Sequence, residues 1–398
     1  MITYNVQQLD AIQKCVKWFF TNSYKDNLFV IGGLAGCGKS TVVKVIITML
    51  GLTNNDVVFA TLTSKASLVL RLKGNPSNTI HKTFYSVYKS GKTFRFNLKK
   101  RINNNIRLIV IDEVSMVSIN MLNDILSFNV PVIALGDCGQ LSPIFGGNIF
   151  DIRKPDVFLT MVMRQSDESG ILDLASKARN GESIPLGQYK ASNVTTLEKI
   201  WDHMHEYDLI LCYSNKTRRL YNSIIRKQKG FTQVYPEKGE KILCLINNYN
   251  YEIEYDDIPI YLNNGLMGYV QENCSIINES GEIDVCKLSF IPEFIHDKDP
   301  NHIFNITCFK EVFEQYQIDI SKEAFIEQMV DETFDEDILG SIGMIDFGYC
   351  LTVHKSQGSE ADRVLVLNDF KGSQDNYNKW LYTAITRAKK SVTIVDLH

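Results

Sequence analysis

Gly33-Leu34-Ala35-Gly36-Cys37-Gly38-Lys39-Ser40-Thr41 places two glycines four residues apart, followed by Lys and Ser, the spacing of a phosphate-cradling loop. Glycines permit positive φ and close backbone approach, so successive N–H groups and a helix N-terminus can face phosphate oxygens. Lys39 adds positive charge at the β/γ position, and Ser40 is placed to ligate Mg²⁺. Gly33, Gly36, Gly38, Lys39, Ser40 and Thr41 are therefore the expected triphosphate-binding set. The flanks agree. Asn27 to Ile31 reads as a short buried strand, and Thr41 to Leu50 as the helix that the loop opens.

A chain of 398 residues that is 44% hydrophobic can bury more than one core, so two or three domains are expected. Met1-Ile-Thr-Tyr-Asn-Val-Gln-Gln has no basic region followed by an apolar core, and no apolar run is long enough to cross a bilayer. The expectation is a soluble, unexported protein with no membrane partner. Cysteines at 15, 37, 138, 212, 244, 274, 286, 308 and 350 stand singly, without a Cys-x-x-Cys pair. They read as small buried hydrophobes in a reducing compartment, with neither zinc nor disulfides implied. A net charge of −4 gives no global attraction to nucleic acid, so binding must come from local clusters. Candidates are Lys99 to Arg101, the set Lys216, Arg218, Arg219, Arg226, Lys227 and Lys229, and Lys389-Lys390, each of which also fits a solvated face.

Ahead of the first strand, Leu9, Ile12, Val16, Phe19 and Phe20 follow a helical period. Gln8, near the start of that helix, could pair with both edges of adenine, or be an ordinary exposed helix residue. After the loop come a strand at Val57 to Thr61, a helix from Lys65 to Lys73, and Thr79-Ile-His81. From Tyr85 to Lys100 the pattern around Ser90-Gly91 reads as a small inserted β-hairpin carrying Phe94 and Phe96.

Arg107 to Ile111 is another buried strand, ending on Asp112-Glu113, and the C-terminal ends of parallel strands are where such enzymes keep their carboxylates. Asp112 can hold Mg²⁺ through water, and Glu113 can take a proton from an attacking water; the bland reading is two acids capping a helix. Pro131 to Leu135 repeats the pattern and leads to Gly136-Asp-Cys-Gly-Gln140, which would bring Gln140 to the γ-phosphate.

A second α/β pattern has a helix at Ile171 to Arg179, a strand at Leu209 to Tyr213 and a helix at Lys216 to Lys229. It resumes with strands at Phe347 to Val353 and Arg363 to Leu367, a helix through Trp380 to Ala388, and a last strand at Ser391 to Val395. Between its halves, residues 236–344 contain short strands and an acidic helical piece near Val312 to Met329, as expected of an inserted small β-domain.

Taken together, these motifs resemble the superfamily 1B helicases, close to the Dda and RecD type of phages and bacteria. The blocks that carry the resemblance are the Gln8 segment, Gly33 to Thr41, Thr61 to Lys65, Thr79 to His81, Asp112 to Met116, Gly136 to Pro143, Met163-Arg-Gln165, Val353 to Gly358 and Tyr382 to Ala388. They run nearly end to end, and their joint order is specific. The loop departs from the common pattern only in carrying Cys37.

The resemblance implies an α/β fold of two RecA-like parallel-sheet lobes. Residues 1–155 would form the first lobe, with hairpin insertion 84–104 as a duplex-splitting wedge. Residues 156–235 and 345–398 would form the second, with an SH3-like β-rich insertion at 236–344. It implies ATP and Mg²⁺ as cofactors and hydrolysis by Lys39, Glu113 and Gln140, with Arg164 and Arg387 reaching across as arginine fingers. Thr63, Lys65, His81, His354 and Lys355 would face single-stranded DNA, and Phe94 and Phe96 would meet the last base pair or fill a satellite core. The implied protein is a monomeric 5′-to-3′ DNA helicase of the bacterial or phage-infected host cytoplasm, working at single-strand/duplex junctions. Its setting would be replication, repair or recombination, with a single-strand-binding protein or replisome component as partner.

Other classes stay open at this point. A nucleotide-gated binding switch would keep the loop without needing Glu113 and two trans-acting arginines, a nucleotide-gated single-strand-binding translocase would move without unwinding, and a P-loop kinase or stand-alone phosphatase would need an acceptor pocket and no second α/β lobe. An RNA helicase would use similar backbone and stacking contacts.

Overall fold

The computed structural model describes residues 4–21, 26–90, 93–143, 146–162, 169–279, 283–310, 313 and 342–397. The chain divides into two compact units, Met1–Ser192 with Gly358–Glu360 and Gly372–Ser391, and Asn193–Gln357 with Ala361–Lys371 and Val392–His398.

The first unit is built on a sheet in the order Ser77–Thr79, Val57–Thr61, Leu108–Ile111, Val132–Gly136, Leu28–Gly33, Val157–Leu159. Every pairing is parallel. Parallel sheets are covered on both faces, which is why these strands are continuous apolar runs rather than alternating ones. Phe29 and Ile31 pack on one side with Ala11, Ile12, Val42 and Ile46. Leu28 and Val30 pack on the other with Ile80, Phe84, Leu122 and Ile125. The strands end together, so the loops after Gly33, Ile111 and Gly136 share one edge of the sheet.

The hairpin is present as strands Tyr85–Ser90 and Thr93–Leu98, with Lys89 opposite Phe94 and Val87 opposite Phe96. Its foot is fastened to the unit. Tyr85 Oη donates to Asp124 at 2.7 Å, and Lys99 Nζ donates to the carbonyls of Lys82 and Thr83 at 2.8 and 2.9 Å.

In the second unit Leu209–Cys212 pairs in parallel with Cys350–Thr352 on one side and with Ala361–Asn368 on the other. The run expected as one strand from 347 to 353 is broken. Phe347 closes one strand, Cys350–Thr352 is another, and Val353–Ser356 is a helical turn capped by Thr352. The helix expected to reach Ala388 ends at Ile385, and Ala388 already begins the last strand.

Residues 241–347 contribute a mainly antiparallel sheet: Ile342–Gly343, Phe304–Phe309, Ile283–Pro292, Met267–Val270, Lys241–Cys244 and Ile345–Phe347. Asn248–Tyr255 and Ile258–Leu262 form a separate hairpin whose acidic residues mask its strand pattern in the sequence. Asp256 and Asp257 have φ of 51° and 59°, the two positive-φ positions of a tight hairpin turn that Asp tolerates. The acidic helical piece near 312–329 lies outside the described residues, apart from Phe313.

The expectation of unbonded cysteines fails at one pair. Cys274 and Cys286 form a disulfide with Cα atoms 6.1 Å apart, within the span such a bond requires. The pairing of Ser275–Glu279 with Ile283–Pro292 puts Ile276 opposite Cys286, a proximity that single spacing cannot reveal. The other seven cysteines are free and all but Cys138 are buried. No described helix is long and apolar enough to cross a membrane.

Candidate active site

Gly38 has φ +83° and caps the helix Lys39–Met49. A side chain there would also collide with Gln8, whose Nε2 lies 2.7 Å from where a Cβ would sit. Only glycine fits, and the start of the helix stays open to an anion. Gly36 is likewise at positive φ. Lys39 Nζ donates to the carbonyls of Gly33 at 2.7 Å and Leu34 at 2.9 Å, folding the ammonium back over the loop. Ser40 and Thr41 open the helix, and Thr41 N–H donates to the Gly38 carbonyl. Cys37 is fully buried, and burial pushes its thiol pKa up against the lowering pull of Lys39. It is an apolar filler under the loop.

Gln8 is buried and is not an ordinary exposed helix residue. Its Nε2 donates to the Cys37 carbonyl at 3.2 Å, and its Oε1 accepts from Asn5 N–H at 3.1 Å. This glutamine braces the loop.

Asp112 and Glu113 follow the strand Leu108–Ile111 as expected, and Asp112 Oδ1 accepts the Glu113 N–H at 2.9 Å. Glu113 has φ 56° and ψ 43°. A non-glycine residue held there costs on the order of 1–3 kcal/mol and tends to persist where function needs the geometry. Burial, and then the negative charge of Asp112, raise its carboxyl pKa above the ordinary value. Arg387 and Lys39 pull it back, and Glu360 adds to the rise. Glu113 thus senses the loop lysine, the second carboxylate and the arginine at once. Arg387, expected on a second lobe, lies within the same compact unit as Glu113. It is buried, with Nε donating to the Thr383 carbonyl at 3.0 Å and Nη2 to Thr386 Oγ1 at 3.2 Å.

Gln140 is buried in a turn where its N–H donates to the Asp137 carbonyl at 3.1 Å. Two residues that stand inside the sequence motifs without an expected role, Asp137 and Tyr382, organise this region. Asp137 accepts from Tyr382 Oη at 2.6 Å and from Gly139 N–H at 2.9 Å, and Ala35 N–H reaches Tyr382 Oη at 3.4 Å. A polar side chain inside a motif was the available signal. Arg164 and the Met163-Arg-Gln165 block lie outside the described residues.

Among the residues expected to face DNA, Thr63 caps the helix Ser64–Leu72 through Ala66 N–H, and Lys65 is half-buried in its first turn. The His81 ring sits 5.6 Å from Tyr85 and 4.9 Å from Phe96, and burial lowers its pKa. Phe96 is 50% exposed; the side chain of Phe94 lies outside the described residues. In the second unit, His354 and Lys355 occupy the turn Val353–Ser356, and burial lowers the His354 pKa.

Part of the basic clusters is used internally. Arg218 is buried against Asp346, Arg226 grips Glu240 and lies 3.8 Å over the Phe347 ring, and Lys99 holds carbonyls at the hairpin foot. These three cations are structural.

A family model described as an AAA domain matches residues 3–198, and one described as a UvrD-like helicase C-terminal domain matches residues 347–395. The RecBCD enzyme subunit RecD of Mycobacterium tuberculosis is 43% identical over 56 residues, which is 14% of this chain and 10% of that one. Its counterpart in Buchnera aphidicola from Schizaphis graminum is 23% identical over 93% of this chain and 70% of its own length. The chain thus matches a tenth of the first relative's length and 70% of the second's. A Pif1 helicase from Bacteroides, solved with ADP-AlF3 and single-stranded DNA, superposes with a TM-score of 0.53 at 17% identity, covering 99% of this chain and 92% of that one. The fold is that of two RecA-like lobes.

Proposed function

We propose that this chain, which belongs to superfamily 1B with the RecD, Pif1 and Dda types of helicase, hydrolyses ATP to move along single-stranded DNA and open duplex. The observation that carries the reading is Glu113, held at φ 56° and ψ 43° directly after the strand Leu108–Ile111, with its N–H bonded to Asp112 Oδ1 at 2.9 Å and under the fields of Lys39 and Arg387. A base beside cations is what hydrolytic phosphoryl transfer needs, because its barrier falls mainly through positioning and neutralisation of spread charge.

In this reading Lys39 and the amides of residues 33–41 hold the triphosphate. Mg²⁺ supplies charge neutralisation at the phosphates, and Ser40 and Asp112 are the side chains that would hold it, with few protein ligands as is usual for that ion. Glu113 accepts the proton of the attacking water, Gln140 orients that water, and Arg387 and Arg164 neutralise charge as the terminal phosphate leaves ADP. The open helix start and the glycine-only position at 38 fit a phosphate chain.

Thr63, Lys65, His81, His354 and Lys355 would track the strand, and the hairpin of residues 84–104 would act as the wedge. The lobes at 1–155 and at 156–235 with 345–398, and an SH3-like insertion at 236–344, complete the proposed layout. Movement 5′-to-3′, a monomeric form, a cytoplasmic setting and contact with a single-strand-binding protein or replisome component rest on the resemblance. The Bacteroides Pif1 structure is a complex with both ADP-AlF3 and single-stranded DNA, which supports the pairing of nucleotide with strand. The test is ATP hydrolysis with and without single-stranded DNA or RNA. Strong stimulation by DNA is expected; equal hydrolysis with and without either strand would remove the translocase reading.

A further inference from the structure

Tyr382 stands on the helix Gln374–Ile385, five residues before Arg387, and it is buried. Its hydroxyl makes two contacts of different kinds. It donates to Asp137 Oδ2 at 2.6 Å, a short bond to a buried carboxylate, and lies 3.4 Å from the N–H of Ala35 in the phosphate loop. Burial and the Asp137 charge both raise the phenol pKa far above its ordinary value, so it stays protonated and keeps donating. The same helix also binds the next loop, because Thr383 Oγ1 accepts from Leu141 N–H at 3.0 Å and Lys379 Nζ reaches Ser142 Oγ at 3.2 Å. Arg179 closes the group, with its guanidinium 5.3 Å over Phe158, 6.0 Å over the Tyr382 ring, and Nη2 3.4 Å from Cys138 Sγ. There is no room to spare. A Cβ on Gly139 would lie 3.2 Å from Tyr382 and 3.3 Å from Arg179.

We infer that Tyr382 is a positioning residue that ties the phosphate loop to the Gly136–Pro143 loop through its hydroxyl, fixing Gln140 and Arg387 relative to the bound nucleotide. The inference rests on the hydrolysis reading above. One hydroxyl joins the Ala35 amide to Asp137, and Asp137 in turn holds the Gly139 N–H at 2.9 Å, one residue before Gln140. A shift at the loop therefore reaches both the glutamine turn and the helix whose end carries Arg387. Misplacement of such groups by about 1 Å can cost on the order of a hundredfold in rate.

The test is Tyr382→Phe, which keeps the ring against Arg179 and removes only the hydroxyl. Three readouts are taken: hydrolysis with single-stranded DNA, affinity for a fluorescent ATP analogue, and amide exchange of peptides covering 33–41 and 136–143. The expected result is kcat lower by about tenfold, KM and analogue affinity within about twofold, and faster exchange confined to those two peptides. Asp137→Ala should mimic it, and the double variant should lose no more than the worse single, as linked residues do. Parent kcat in Tyr382→Phe, additive losses in the double variant, or faster exchange throughout the core strands would overturn the assignment. The exchange readout does not depend on hydrolysis, so a parent protein that failed to hydrolyse ATP would sink the functional reading and leave this test standing.

Discussion

The side-chain amide of Gln8 donates to the main-chain carbonyl of Cys37 at 3.2 Å, joining the N-terminal helix to the phosphate loop. The loop is thus shaped from beneath by a residue 29 positions earlier in the chain. Gln8→Ala should leave a buried carbonyl without its donor at a cost of about 1 kcal/mol. KM for nucleotide should rise about fivefold, by the same factor for ATP and GTP, because the brace acts on the loop and not on the base. Steady-state kinetics with both nucleotides measures this; a loss confined to ATP would contradict it.

Lys39→Ala is expected to abolish hydrolysis by removing the phosphate-side charge, whereas Glu113→Gln should bind ATP and fail to turn it over. Glu113 has a raised folded pKa, so its ionised form is disfavoured in the fold and the associated stability is lost as pH rises through that pKa. Near neutral pH, Glu113→Gln should therefore melt at a higher temperature than the parent, which calorimetry can read alongside nucleotide binding.

Arg387 lowers the Glu113 pKa. Where Arg387→Ala retains measurable turnover, the acid limb of its kcat/KM profile should move to higher pH, since the base is then protonated over a wider range. An unmoved limb would take Arg387 out of electrostatic contact with the base.

Phosphate contacts make strand affinity fall with salt, by a slope of roughly 0.7 per contact on single strands. Replacing Lys65 and Lys355 together should flatten that slope by about 1.4. Burial lowers the pKa of His81 and His354 from 6.5, so both are neutral at neutral pH and the slope should hold steady from pH ~8 down to about 6.5. Equilibrium binding titrations across salt and pH check both statements.

The hairpin's exposed Phe96 rests on His81, and a base stacked on such a ring is worth about 1–3 kcal/mol. Phe96→Ala, and separately Phe94→Ala, should keep DNA-stimulated hydrolysis while strand separation drops about tenfold or more. Parallel losses of the two activities would point to packing in place of a wedge.

Local signals were legible wherever one segment dictates its own form. The loop at 33–41, the apolar strands and the Asp112-Glu113 strand end needed only glycine spacing and hydrophobic pattern. What the sequence hid is set by distant partners. Gln8 looked like a surface residue because its partner is Cys37, and Arg218 looked like part of a basic face because Asp346 lies 128 residues away. The disulfide depends on strand register, and the role of Tyr382 on a loop 245 residues earlier.

Whether hydrolysis at Glu113 drives duplex opening is read from ATP-dependent strand separation on forked duplexes carrying either a 5′ or a 3′ single-stranded tail, with Glu113→Gln alongside. The parent should separate the 5′-tailed duplex and little of the 3′-tailed one, and Glu113→Gln should separate neither. ATP hydrolysis stimulated by single-stranded DNA without separation of either duplex, or separation that survives Glu113→Gln, would contradict that coupling.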